Sequence, residues 1–152
     1  MRIGNLLLWI LLIFVLIQFV PVDRFNESVD SRSNFVDIYQ SPSEIRELLE
    51  NSCYDCHSNE TIYPSYSLVA PVSWMIKDHI NQGRRYLNYS EWGSYNKDIR
   101  KNIIEKSIKS IESGKMPLPS YVSFHPESRL TPSEIELLVD YFKTIETILQ
   151  KE

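Results

Sequence analysis

Both cysteines of this 152-residue chain lie in one five-residue segment, Cys53-Tyr54-Asp55-Cys56-His57. A Cys-x-x-Cys-His sequence is the attachment signal of c-type haem. The gap of two residues lets both thiols form thioether bonds at one porphyrin edge, and the adjacent imidazole can reach the iron. The segment therefore predicts one haem c per chain, with Cys53 and Cys56 as attachment residues and His57 as an axial ligand of the iron.

Two other interpretations of the cysteine pair stay open at this point. A redox-active disulfide of the thioredoxin kind needs a strand–helix–strand context, whereas the flanks of Cys53 and Cys56 have helical periodicity. A structural zinc site needs about four ligands. No second cysteine pair exists, and His79 and His125 lie far from the first pair without zinc-finger spacing. Both alternatives are less well supported than haem attachment.

The N-terminal residues are strongly apolar. Residues 3–20 carry no charge and have only two polar side chains, Asn5 and Gln18. Because about 20 apolar residues span a bilayer, we expect an uncleaved membrane anchor over residues 1–22, with a cleaved signal peptide as the alternative. Arg2 precedes this run, so the positive-inside tendency predicts a single-pass protein of the bacterial inner membrane whose haem domain faces the periplasm.

The remaining chain divides into a tether, residues 23–40, and a haem-binding domain, residues 41–152. The tether is rich in Ser and Asn and lacks sustained periodicity, although Phe35, Val36 and Ile38 are expected to dock on the domain edge. Apolar residues at helical spacing then predict four helices, beginning near residues 41, 71, 95 and 131. The predicted fold is all-α.

Two of these helices begin with similar sequences. Ser41-Pro42-Ser43-Glu44 and Thr131-Pro132-Ser133-Glu134 both have the pattern of a capping box. We expect the Ser or Thr hydroxyl to accept from a backbone N–H of the first turn while the Glu accepts from the N–H of the capping residue. Gly114 is expected to end the helix before it.

A six-coordinate haem needs a second axial ligand, and four side chains are candidates. Met116 follows a helix end in a Lys-Met-Pro-Leu-Pro sequence whose prolines stiffen the loop, and a weak thioether ligand needs such a preorganised position. Met75 has the spacing of a packing residue on a helix. His79 lies on the same helix, and His125 precedes a proline. Met116 is the preferred ligand, with the other three as alternatives.

The chain resembles a known family. The segments that carry the resemblance are C-Y-D-C-H-S-N-E-T, Y-P-S-Y, V-A-P-V-S-W, L-N-Y-S-E-W, S-G-K-M-P and H-P-E-S-R-L-T. They are similar to the small bacterial haem-binding domain family, relatives of class I cytochrome c, over residues 41–149. The resemblance implies a cytochrome c-like helical fold with His57 proximal and Met116 distal. The chain departs from it at Leu118, where such proteins often continue with consecutive prolines.

Charge and side-chain chemistry limit the function classes. The formal net charge of −4 disfavours nucleic acid as a partner, and no pocket with a general base is recognisable. We therefore expect a one-electron carrier, not an enzyme, that meets a redox partner protein in the cell envelope. A haem-based gas or redox sensor, or a catalytic haem with a labile sixth ligand, is the alternative. The sequence leaves the oligomeric state open.

Overall fold

The computed structural model of the chain describes residues 3–151, and all the regular structure in that range is helical. This confirms the predicted all-α class. The α-helices are α1 (Ile3–Ile17), α2 (Phe35–Ile38), α3 (Ser43–Leu49), α4 (Asp55–His57), α5 (Val72–Tyr86), α6 (Lys97–Glu112), α7 (Pro119–Phe124) and α8 (Pro132–Lys151). A π-helical turn, Glu50–Tyr54, joins α3 to α4, and 3₁₀ turns cover Ser65–Leu68, Tyr89–Ser94 and Pro126–Ser128.

The core of the domain lies where α6 packs along α8, with α3 beside them. Helix α6 directs Ile103, Ile104 and Ile111 inward, and α8 directs Leu138 and Phe142 inward. Residues one, four or seven positions apart lie on the same side of a helix, so each set forms one buried face, as in an amphipathic helix. The apolar stripes predicted for both helices are confirmed at these positions.

An aromatic cluster closes the core on the side of α2. Phe35 has no exposed surface, and its ring lies 5.0–6.3 Å from five others, all edge to face. Those five rings belong to Tyr39, Tyr89, Trp92, Tyr141 and Phe142. Each such pair contributes about 1 kcal/mol beyond the area it buries. Phe35, which we expected at the domain edge, is therefore a central core residue.

Only one of the two predicted capping boxes forms. The Thr131 hydroxyl accepts from the N–H of Glu134 at 3.3 Å, and the Glu134 carboxylate accepts from the N–H of Thr131 at 2.7 Å. Ser41 does not cap α3, because its hydroxyl lies 2.6 Å from the Tyr141 hydroxyl on α8. Helix α3 begins instead after Pro42, with no side-chain cap. A tertiary hydrogen bond has replaced the local one.

The predicted membrane-spanning helix is wrong. Helix α1 has 15 residues, short of the roughly 20 that a bilayer requires, and within residues 3–151 no helix combines the length and apolarity needed to cross a membrane. After α1 the side-chain amide of Gln18 donates to the Ala70 carbonyl at 3.1 Å and accepts from the Ala70 N–H at 3.0 Å. The predicted single-pass inner-membrane location, with a domain facing the periplasm, depended on that helix and is therefore not supported. Residues 1 and 2 of the predicted anchor, and residue 152, lie outside the described residues.

Candidate functional site

The Cys-x-x-Cys-His segment is built on two short helical pieces in succession. The π-helical turn Glu50–Tyr54 carries Cys53, and α4 ends at His57. A π-helical turn fits an extra residue into the helix and so changes which side chains share a face. Tyr54 secures the turn from the core side, because it is buried and stacks on Tyr89 with ring centroids 5.4 Å apart. The segment is therefore anchored to the packed interior.

Helix α5 makes its closest approach to the segment at Gly83. A Cβ atom at this position would clash with the carbonyl oxygen of Cys56, so the approach requires glycine. The neighbouring Arg84 donates from Nε to the Ser58 carbonyl oxygen at 2.8 Å. This contact holds the chain directly after His57 against the same helix.

The imidazole of His57 is fixed by the C-terminal end of α5. Its Nδ1 lies 3.0 Å from the Gly83 carbonyl oxygen and 3.2 Å from the Leu87 carbonyl oxygen. Because both partners are acceptors, Nδ1 carries the proton and Nε2 keeps its lone pair. Burial lowers the pKa of His57, which favours the neutral ring that a metal ligand needs.

Both acceptors of the His57 bond belong to the end of α5. The Gly83 carbonyl oxygen also accepts from the Leu87 N–H at 2.9 Å, whereas Leu87 lies just past the last turn, where carbonyl groups lack an N–H partner in the helix. Sequence alone did not show that the end of α5 would lie against His57.

The two thiols of the segment are half-buried and free. Burial raises the pKa of Cys53 to about 12 and that of Cys56 to about 11. Cysteines of redox-active disulfides have a lowered pKa and an electropositive setting, the reverse of what is found here. The described part of the chain also has no β-strand, so the thioredoxin-like interpretation has no structural support.

The zinc interpretation also has no structural support. Across residues 3–151 there is no group of three or more His, Cys, Asp or Glu side chains that could hold a metal ion. His125 is occupied elsewhere, with Nε2 at 2.6 Å from the Tyr66 hydroxyl and Nδ1 at 3.1 Å from the Glu127 carboxylate. Its ring stacks on Tyr121 at 4.3 Å.

Asp55 connects the segment to the loops on both sides of it. One carboxylate oxygen accepts from the N–H of Ile62 at 2.8 Å, and the other accepts from the Tyr121 hydroxyl at 2.7 Å. The Asp55 carbonyl also accepts from the Thr61 hydroxyl at 2.7 Å. Tyr121 belongs to α7, so this one carboxylate ties α7 to the Cys-x-x-Cys-His segment.

Met116 lies in the turn between α6 and α7. Gly114 ends α6 with a φ of 66°, in the left-handed region that glycine adopts without cost. The N–H groups of Lys115 and Met116 then both donate to the Ser110 carbonyl oxygen, at 2.9 and 3.1 Å. The turn brings the half-buried Met116 side chain toward the Cys-x-x-Cys-His segment, as the following cavities show.

Two adjoining cavities occupy the space between this segment, α5, α6 and the Met116 turn. Their volumes are about 280 Å³ and about 480 Å³; clefts that bind cofactors measure about 300–1,000 Å³. The residues that line both of them are Ser52, Cys53, His57, Tyr86 and Met116. Cys53, the oriented His57 and Met116 thus line both cavities, which together are called the cleft.

The comparison with known families gives the family of the chain. The model of the haem-binding domain family matches residues 12–144. The chain belongs to this family. No curated protein and no solved structure matches it. The family confirms the resemblance drawn from the sequence motifs, and it makes this a haem-binding protein.

The residues of the cleft fit a haem. His57 offers Nε2 as a ligand because its Nδ1 proton is bound to two carbonyl groups. Gly83 lets α5 lie against the Cys56 backbone, where a Cβ atom would clash. Buried apolar side chains, among them Leu87 and Ile103, line the larger cavity, as a porphyrin face requires.

The four candidates for the sixth ligand are placed differently. Met116 lines both cavities, and His79 lines the smaller one although it is exposed on α5. His125 lines neither cavity and is engaged by Tyr66. Met75 also lines neither, and its side chain is 61% exposed. The geometry therefore reduces the choice to Met116 and His79.

Three tyrosines line the larger cavity: Tyr86, Tyr89 and Tyr95. Trp92 does not, because it is fully buried in the aromatic cluster, where its indole N–H donates to the Tyr39 hydroxyl at 3.1 Å.

Sequence reasoning missed several residues that shape the site. Gly83 had a readable signal, since a glycine inside an otherwise helical pattern often marks a close approach. Asp55 lies inside the motif but had no partner that could be named. Tyr121 and Leu87 gave no signal, because their roles depend on which helix end reaches the motif.

Proposed function

We propose that the chain is a monohaem c-type cytochrome that carries single electrons. Cys53 and Cys56 attach the haem, and His57 and Met116 are its axial ligands, with one haem per chain. The observation that carries the proposal is that Cys53, His57 and Met116 all line the cleft. The imidazole of His57 is already oriented there by two backbone carbonyl groups.

Covalent attachment suits the state of the two cysteines. Each thiol would add across a haem vinyl group, with sulfur bonding to one carbon and the thiol proton going to the other, so no oxidant would be needed. The raised pKa values of Cys53 and Cys56 keep the thiols protonated until they react. Their position on consecutive pieces of one helical segment supports attachment at a single porphyrin edge.

The bound iron supplies the one-electron change, and the protein supplies orientation and a dry surround. His57 is held at Nδ1 by two backbone carbonyl groups, which fixes the ring and increases its basicity as a ligand. Met116 as the opposite ligand raises the reduction potential relative to two histidines. A redox partner protein then donates or accepts the electron at the exposed edge of the cleft.

A second candidate function follows from the Met116 turn. Gly114 and Lys115 are exposed, and Met116 is only half-buried, so the thioether is held less firmly than the imidazole of His57. If it leaves the iron readily, the open position suits a haem-based gas or redox sensor, or a catalytic haem site.

One spectroscopic experiment separates these candidates. The full chain is produced in a host that attaches haem c, then reduced, and its optical spectrum is recorded with and without carbon monoxide. We expect a low-spin spectrum that the gas does not change. A spectrum that shifts with the gas supports the sensor or catalytic function instead.

Attachment itself is tested by extraction. Haem that remains with the polypeptide after acid and organic solvent is covalently bound, and the Cys53→Ser, Cys56→Ser double variant should lose it. Extractable haem in the unaltered chain would disprove the c-type assignment and leave only haem binding.

A further inference from the structure

The two cavities of the cleft differ sharply in charge. Asp55 lines the smaller cavity, and no Lys or Arg among the described residues does so. Arg85 and Lys106 line the larger cavity, and no Asp or Glu among the described residues does so. The chain as a whole has more acidic than basic residues, 20 against 16. A cavity whose Lys and Arg side chains are not matched by any Asp or Glu therefore differs from the chain as a whole.

Among the described residues, neither of the two cations has a hydrogen-bond or ion-pair partner. Arg85 lies in the last turn of α5 and Lys106 in the middle of α6, so two different helices direct charge to one opening. Within residues 3–151 neither side chain forms an ion pair. By contrast, the neighbouring Arg84 is bound to the Ser58 carbonyl and the Asn26 side chain.

The shape of haem gives this asymmetry a meaning. Haem carries its vinyl groups at one edge and two carboxylates at another, and the vinyl edge would be tied to Cys53 and Cys56. Cys56 lines only the smaller cavity, and Cys53 lines both. The carboxylate edge then belongs in the larger cavity, away from Asp55 and toward Arg85 and Lys106.

We propose that Arg85 and Lys106 bind the two haem carboxylates in the larger cavity, where the attachment at Cys53 and Cys56 would direct them. The inference rests on the proposed function, because it uses the attachment at Cys53 and Cys56. Asn102, Ser107 and Ser110 also line this cavity and offer hydrogen-bond donors beside the cations.

Carboxylates bound in this way should affect the reduction potential and its pH dependence. The ionisable side chains that face the larger cavity are Cys53, His57, Arg85, Tyr86, Tyr89, Tyr95 and Lys106. Burial raises the pKa of Tyr89 and of Tyr95, so both stay neutral when the carboxylates titrate. A cation lowers the pKa of a carboxylate and disfavours the more positive oxidised iron.

The test is the midpoint potential of the haem-loaded full chain, measured as a function of pH. In Arg85→Gln and in Lys106→Gln the potential should fall, and the pH at which it changes slope should rise. We expect about a threefold change in the carboxylate ionisation constant for each single variant and about tenfold for the double variant. The shift in potential should be larger in Lys106→Glu than in Lys106→Gln. In Arg85→Lys the positive charge is kept, so the potential should stay close to that of the unaltered chain.

Lys109→Gln is the matched control. Lys109 is exposed on α6 one turn beyond Lys106 and lines neither cavity, so the same charge is lost without loss of a haem contact. If haem is attached and the Arg85 and Lys106 variants shift no more than this control, the carboxylate assignment is wrong and the cytochrome assignment stands. If the unaltered chain carries no covalent haem, both are wrong.

Discussion

The two sides of the cleft are held in place by very different means. On the side of His57, the close approach of α5 at Gly83, two carbonyl bonds to Nδ1 and a buried Tyr54 fix the segment. On the other side, Met116 lies in a turn that is fixed by backbone bonds to Ser110 and is otherwise half-exposed. The imidazole of His57 is therefore preorganised to act as a ligand, whereas the Met116 side chain is held by fewer contacts and can move more easily.

The largest expected effect is on the histidine side. His57→Ala removes the imidazole that the end of α5 orients, and we expect the yield of haem-loaded protein to fall nearly to zero. His125→Ala removes a histidine that lines neither cavity and should leave the yield unchanged. The measurement is haem absorbance per polypeptide. An equal loss in the two variants would show that His57 has no specific role in holding the haem.

The second effect tests the close approach of α5. Gly83→Ala places a methyl group against the Cys56 carbonyl oxygen, and we expect a loss of about 2–3 kcal/mol in the free energy of unfolding. Gly4→Ala is the control, because nothing lies within 4 Å of its Cβ position. Urea unfolding of the haem-loaded variants provides the comparison. A Gly83→Ala variant as stable as the control would show that α5 can move aside.

The third effect is confined to the methionine side. Met116→Ala should keep its covalent haem, bind carbon monoxide when reduced, and have a lower reduction potential, since a ligand is lost while attachment is not. Met75→Ala, which changes an exposed methionine outside both cavities, should behave like the unaltered chain. An unchanged spectrum and potential in Met116→Ala would transfer the sixth position to His79.

The smallest effect tests how α7 supports the methionine turn. Tyr121→Phe breaks the hydrogen bond to Asp55, at a cost of about 1 kcal/mol in unfolding free energy, and should make the reduced haem more sensitive to carbon monoxide. Tyr141→Phe loses a comparable bond, to Ser41, on the α8 side of the core. Tyr141→Phe should lose about as much unfolding free energy as Tyr121→Phe, but its binding of carbon monoxide should not change. Equal gas binding in both variants would show that Asp55 does not support the Met116 turn.

The two capping sequences show how far local patterns can be trusted. Both have the same residue types at the same spacing, yet only the Thr131 box forms. Ser41 lies within reach of Tyr141, and a hydrogen bond to that hydroxyl takes the place of the cap. A local pattern predicts structure correctly where no residue distant in sequence competes for the same atoms.

The apolar N-terminus shows the same limit. Its composition predicted a membrane span, but helix α1 ends at Ile17, and the next residue, Gln18, bonds to the backbone of Ala70. The length of a helix depends on where the chain finds other partners, and Ala70 is 52 residues away.

The sequence by itself determined the helical class, the apolar stripes of α6 and α8, and the haem-binding family. Each of these depends on residue spacing along the chain, which no later contact alters. Only the tertiary structure decided that the end of α5 orients His57, that His125 and Met75 lie outside the cleft, and that Arg85 and Lys106 meet at one opening. These depend on which helix ends come together, and that is set by packing between residues far apart in sequence.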